Sequence, residues 1–270
     1  MHTKNMNNRK RKRTIPTTVR VKNVKLLKDN KLTDSDLWYH IYDYDDDNHI
    51  RRSCIIDSQK QFWNAVKEEL DFSADVVIDG GGNICCPGFI DLQFNGAFGI
   101  DFSNIKLTES DVIKVSHKLL KYGVTSYLPT VVTSPKETYQ QVLPIIRKVK
   151  NVIEGNNYNN SNKNKKAVAT IIGIHLEGPF INKKKKGAHN ESFIIEQVNV
   201  SSLYSLYGKE NMKDISLITI APELNGALET IKHLTVNDNI NISIGHSMAT
   251  FDQAIAAFEN GARKITHCKI

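Results

Sequence analysis

A chain of 270 residues, 40% hydrophobic and 24% charged, can bury one large core or two smaller ones and has the balance of a soluble globular protein. No apolar run approaches the roughly 20 residues that span a bilayer, and the charged N-terminus lacks the apolar stretch of a secretory signal, so the cytoplasm is the expected compartment. The net charge of +7 is unevenly placed, with one basic run at Arg9 to Arg13 and another at Lys183 to Lys186.

Residues 1–16 read as a basic disordered tail. The Arg9 to Arg13 run suits nuclear import or a nucleic-acid patch, but nothing resembling a nucleic-acid-binding motif follows it, and no nucleic-acid partner is expected. Residues 17–86 read as a partial small β domain. Val19 to Val21, Val24 to Leu27 and Val76 to Ile78 are strand-like; Tyr42 to Asn48 is acidic and exposed; Phe62 to Leu70 suits a helical insertion; Gly80-Gly81-Gly82 marks a turn. Cys54, Cys85, Cys86 and Cys268 lack CxxC spacing and are read as reduced thiols.

From Pro87 to the last residue the pattern alternates strand and helix. Phe89 to Gln93 is the first strand. A helix follows, capped at Thr108, with Val112, Val115, Leu119 and Tyr122 on one face and a stop at Gly123. Val124 to Leu128 is the second strand. Ser134-Pro135 opens a helix that Pro144 is expected to kink or divide. Residues 155–166 form a polar loop outside the fold. Strands are then expected at Thr170 to Leu176, Ser216 to Ile220, Ile240 to Ile244 and Lys264 to Thr266. Helices are expected at Asn225 to His233 and, after the capping box Thr250-x-x-Gln253, up to Gly261. Repeated strand–helix steps predict an α/β fold of the (β/α)8 TIM-barrel type, with about six of the eight strands present.

Three of these apolar strands carry a metal-competent side chain at or just beyond the C-terminal tip: Glu177, His246 and His267. In a barrel such tips surround one mouth, and one carboxylate with two imidazoles is the ligand set of an open divalent-metal site. Each residue alone has a plainer explanation, as a strand-end carboxylate or a hydrogen-bonded histidine. Recurrence of one design on three strands favours the metal. Zinc, iron(II) or a similar ion suits the set. His175 shares a strand face with Glu177. His189 lies in the loop after the lysine run and can lean over the mouth.

The motifs resemble a known family. Pro87-Gly88-Phe89-Ile90-Asp91 is similar to the opening of the amidohydrolase superfamily, with Gln93 and Asn95 where that superfamily usually carries an HxH pair. The absent pair argues against a binuclear cyclic amidase. His175-Leu176-Glu177-Gly178-Pro179-Phe180, Lys186-Gly187-Ala188-His189, Gly245-His246-Ser247 and Ile265-Thr266-His267 resemble N-acetylglucosamine-6-phosphate deacetylases, in the family's order. The resemblance implies one divalent metal on Glu177, His246 and His267, and substrate contacts from the Ala188 backbone and His189. It implies hydrolysis of N-acetyl-D-glucosamine 6-phosphate to glucosamine 6-phosphate and acetate, a homodimer, and N-terminal strands that belong to a small β-sandwich. The family's last two strands and its acid/base aspartate have no counterpart before residue 270. The expectation that follows is a C-terminally incomplete barrel with no catalytic acid/base present, inactive and aggregation-prone when made alone. The competing expectation is a non-catalytic product that binds a partner or the full-length enzyme.

Overall fold

The structure, a computed structural model, describes residues 17–41, 54–56, 73–154 and 167–267. They fall into two compact units, one within Met1–Pro87 and the other within Gly88–Ile270.

In the first unit, strand β1 (Thr17–Lys28) turns back through Asp29 and Asn30 into β2 (Lys31–Ile41), pairing antiparallel from Thr17↔Ile41 to Lys28↔Lys31. Asp29 and Asn30 have φ of 49° and 61°, the left-handed backbone that a two-residue hairpin turn needs and these side chains tolerate. Strand β2 was not expected, because Lys31 to Asp36 is polar; pairing with β1 along its length, not burial, makes it a strand. Short β3 (Cys54–Ile55) joins β2, while β4 (Val76–Asp79) and β5 (Ile84–Cys85) run parallel to β1. The result is one mixed sheet of order β3-β2-β1-β4. Cys85 and Cys86 are free thiols. The expected tail, the acidic stretch at Tyr42 to Asn48 and the helix at Phe62 to Leu70 lie outside the described residues.

The second unit begins with β6 (Phe89–Phe94) and a small hairpin, β7 (Gly96–Ala97) with β8 (Ile100–Asp101). It continues through α1 (Glu109–Leu119), β9 (Val124–Val132), α2 (Lys136–Glu154), β10 (Thr170–Ile171) and β11 (Ile174–Glu177). Then come α3 (Val200–Tyr207), β12 (Ile215–Ile220), α4 (Ala227–Val236), β13 (Asn241–Ile244), α5 (Phe251–Glu259) and β14 (Lys264–Ile265). Strands β6, β9, β11, β12, β13 and β14 are neighbours in that order and all parallel, a curled half-barrel with its helices packed outside. Helices α1 and α5 start at the expected caps: Thr250 forms its capping box with Gln253, and the Thr108 cap is closed into a box by Asp111. Among the described strands β6 and β14 each pair on one side only, and Phe89, Ile90 and Ile265 are exposed there. No helix among the described residues is long and apolar enough to cross a membrane.

Three expectations need correction, and one helix was not expected. The strand expected at Thr170 to Leu176 is broken in two at Ile172-Gly173. Gly173 has φ of 147°, and a Cβ there would collide with the Ser216 side chain. A Gly173→Ala variant is therefore expected to lose more than about 1 kcal/mol of stability, read as a lower urea midpoint at unchanged m. Helix α2 is not divided: it runs unbroken through Pro144, because Tyr139, Val142, Leu143 and Ile146 are fully buried around it and outweigh one missing hydrogen bond. Helix α4 starts at Ala227, not Asn225, after a left-handed Gly226. Helix α3 was not foreseen; its Asn199–Ser202 capping box was the available signal.

Candidate metal centre at the strand tips

The mouth of the half-barrel is a cavity of about 1040 Å³ whose lining includes Gln93, Glu177, Ala188, His189, His246 and His267. Glu177 ends β11 and is 2% exposed. His246 and His267 follow the tips of β13 and β14 with φ of 50° and 58°. A left-handed conformation is uncommon outside glycine, costs of order 1–3 kcal/mol, and gathers where a side chain must be aimed. Here it turns both imidazoles over the mouth.

Glu177 Oε1 lies 3.0 Å from His246 Nε2 and 3.0 Å from His267 Nε2, and the two nitrogens are 3.2 Å apart. Ligands held 2.0 Å from a tetrahedral ion are separated by about 3.3 Å, so this triangle has the size of three ligands on one centre. Its protons point the same way. His246 Nδ1 is 2.9 Å from the Lys185 carbonyl, which can only accept, so Nδ1 carries a proton. Neutral His246 then presents the lone pair of Nε2 to the Glu177 carboxylate, and two acceptors 3.0 Å apart need a proton or a cation between them. A backbone carbonyl on the far nitrogen is the usual way to orient a metal-bound histidine. Without an ion, the hydrogen bond to Glu177 raises the pKa of His246, favouring the imidazolium.

Burial pushes the Glu177 carboxyl up, but the His246 hydrogen bond, with the attraction of the His189, His175 and His246 rings once acid protonates them, outweighs it and leaves the pKa at about 2. Glu177 is thus an anion throughout the neutral range. Gln93 Nε2 also donates to Oε1, at 2.7 Å, filling space near the carboxylate. His189 is 7% exposed, its Nδ1 2.8 Å from Thr133 Oγ1 and its Nε2 3.9 Å from Glu177 Oε1. Burial lowers its pKa, favouring the neutral ring. Glu177, His189 and His246 offer donor atoms all within 4.8 Å of one another and could hold a divalent ion. His189 is therefore close enough to join the ion or to face a molecule bound beside it. Ala188 lines the cavity next to it.

No model of a known protein family matches the chain. Individual proteins do. The chain is 38% identical to an N-acetylglucosamine-6-phosphate deacetylase of Danio rerio over 248 residues, 91% of this chain and 54% of that protein. It is 38% identical to the human protein of the same name over 250 residues, 91% of this chain and 53% of that one. The crystal structure of the Pasteurella multocida enzyme superposes with a TM-score of 0.66 at 28% identity, covering 93% of this chain and 56% of that one. The chain belongs to the N-acetylglucosamine-6-phosphate deacetylase family of the amidohydrolase superfamily. It spans about half the length of the deacetylases it matches.

In this deacetylase-family chain the geometry adds residues that the sequence alone did not single out. The loop after His246 is clamped: Glu223 accepts from Asn182 Nδ2 at 3.0 Å, Ser247 Oγ at 2.6 Å and the Met248 amide at 2.6 Å, while the Asn182 amide donates to the His246 carbonyl at 2.9 Å. Glu223 stood out only as a polar residue after a strand. Asn182, inside an Asn-Lys run, carried no signal beyond its ability to cap a turn.

Proposed function

We propose that this chain carries the metal-binding and part of the substrate-binding machinery of a deacetylase acting on N-acetyl-D-glucosamine 6-phosphate. In this reading Glu177, His246 and His267 hold one divalent ion, zinc, iron(II) or similar. When bound, such an ion acidifies water and polarises a carbonyl. Gln93 keeps the Glu177 oxygen in place, and the Lys185 carbonyl keeps His246 in the tautomer that presents Nε2 inward. His189 and the Ala188 backbone face the cavity and orient the acetamide and sugar. The reaction breaks the amide C–N bond and adds the elements of water, giving acetate and glucosamine 6-phosphate. The single observation that carries the reading is the triangle of Oε1 and two Nε2 atoms with sides of 3.0, 3.0 and 3.2 Å, closed by a proton committed to Lys185. The names of the matched deacetylases supply the substrate.

The test measures acetate released from N-acetyl-D-glucosamine 6-phosphate by the polypeptide that carries this segment. Release is expected to require a divalent metal and to disappear in His246→Ala. Release that survives both a chelator and that substitution overturns the reading.

A further inference from the structure

Beneath the metal centre the interior of the half-barrel is polar, where branched apolar side chains usually fill a barrel. Every stave contributes one group. The Phe94 amide of β6 donates to Thr130 Oγ1 of β9 at 2.9 Å. Thr130 Oγ1 is 3.2 Å from His175 Nδ1 on β11, and His175 Nε2 is 2.8 Å from Thr219 Oγ1 on β12. Thr219 Oγ1 is 3.2 Å from Thr266 Oγ1 beyond β14, which is 2.6 Å from Ser243 Oγ on β13. Thr130, His175 and Thr219 are fully buried and Ser243 is 2% exposed. A hydroxyl has one proton, so the links must run in one sense. The Thr130 hydroxyl donates to the Leu128 carbonyl at 3.2 Å, which directs the chain from Ser243 through Thr266, Thr219 and His175 to that carbonyl. Each donor is used and no buried group is left over, so removing one member leaves its neighbours unsatisfied.

Two details link this belt to the metal centre. Strand β14 is two residues long, held to β13 through Ser243↔Lys264 and Ile244↔Ile265. The next residue but one is His267, whose side chain is 49% exposed and so is not held by packing. The Thr266 hydroxyl, gripped by Ser243 and Thr219, is the last fixed point before that ligand. In addition, a Cβ on Gly245 would lie 2.8 Å from Thr219 Cγ2 and 2.8 Å from Thr266 Cβ, so only glycine there lets the two threonines approach.

We propose that Thr266 and Thr219 are positioning residues for the metal centre: the transverse hydroxyl–imidazole belt anchors the end of β14 and thereby sets His267 Nε2 at coordinating distance from Glu177 and His246. The inference rests on the ligand assignment given above. It is tested on the polypeptide that carries this segment, by titration with Co(II) against a chromophoric chelator, after circular dichroism has shown that each variant is folded. Thr266→Val keeps the side-chain shape without the hydroxyl and is expected to weaken Co(II) binding about 10–100-fold, the loss typical of an outer partner of a metal ligand. Thr266→Ser restores the wild-type affinity. In a His267→Ala background the Thr266→Val change costs nothing further, because the ligand it positions is gone. Should Thr266→Val not fold, Thr219→Val carries the same comparison. Unchanged affinity in the valine variant, or an equal loss without His267, overturns the positioning role while leaving the ligand set intact. A wild-type chain that takes up no Co(II) overturns the ligand assignment, and the positioning role with it.

Discussion

Replacing His246 by alanine is expected to weaken divalent-metal binding by more than about 100-fold, beyond the 10–100-fold that loss of an outer partner brings. The residue is placed from three directions. Its Nδ1 proton is committed to the Lys185 carbonyl, its backbone carbonyl receives the Asn182 amide, and the loop behind it is pinned by Glu223. Its ordering is therefore complete before any ion arrives, so alanine removes a donor that needed no rearrangement to bind. His189→Ala provides the contrast. Its Nε2 lies 3.9 Å from Glu177 Oε1, against 3.0 Å for His246 and His267, and its loss is expected to cost substrate affinity more than metal affinity. Metal content after dialysis against a chelator of known affinity checks both; equal losses would show that His189, not His267, completes the ligand set.

The largest effect on stability is expected at Tyr207, the last residue of α3. It is fully buried, meets Tyr139 edge-on with ring centroids 4.9 Å apart and Phe180 edge-on at 6.1 Å, and its hydroxyl donates to the Gly178 carbonyl at 2.8 Å. Tyr207→Ala opens a cavity between α2, α3 and the strand tips, with an expected cost of about 3–5 kcal/mol. Tyr207→Phe keeps the rings packed and leaves the buried Gly178 carbonyl short of its donor, an expected cost of about 1–3 kcal/mol. Because Gly178 follows Glu177 directly, the phenylalanine variant should also loosen the carboxylate. Denaturant midpoints with and without saturating metal separate the two effects. A phenylalanine variant as stable as wild type would show that water replaces the phenol.

The parallel staves of the barrel were legible because each is a short apolar run bounded by a cap or a glycine. The N-cap at Thr108 and the capping box at Thr250 appear where the sequence places them. What misled was a glycine inside a run. Gly173 sits among Ile171, Ile172 and Ile174, and periodicity cannot tell a continuous strand from one interrupted to let Ser216 approach. Pro144 left a kink or a break open, and burial of one helix face keeps the helix in one piece. Strand β2 was missed because it lacks a regular apolar alternation, and helix α3 because it is only eight residues long, although Val200, Leu203, Tyr204 and Tyr207 have helical spacing. Both exist through what they pack or pair against.

At the site, residue type and position were written in the chain: a carboxylate and two histidines recur at the ends of apolar strands, and the fold brings their atoms within 3.0 to 3.2 Å of one another. Those are one-dimensional facts, because a strand tip is a place in the sequence as well as in space. The left-handed turns at His246 and His267, the proton committed to Lys185, the Glu223 clamp and the hydroxyl belt through Thr219 and Thr266 were decided by tertiary structure alone. Apart from the turns, each is a contact between residues 20 to 90 positions apart, and hydrogen-bond direction at such a distance depends on sheet register and curl, which no local pattern encodes.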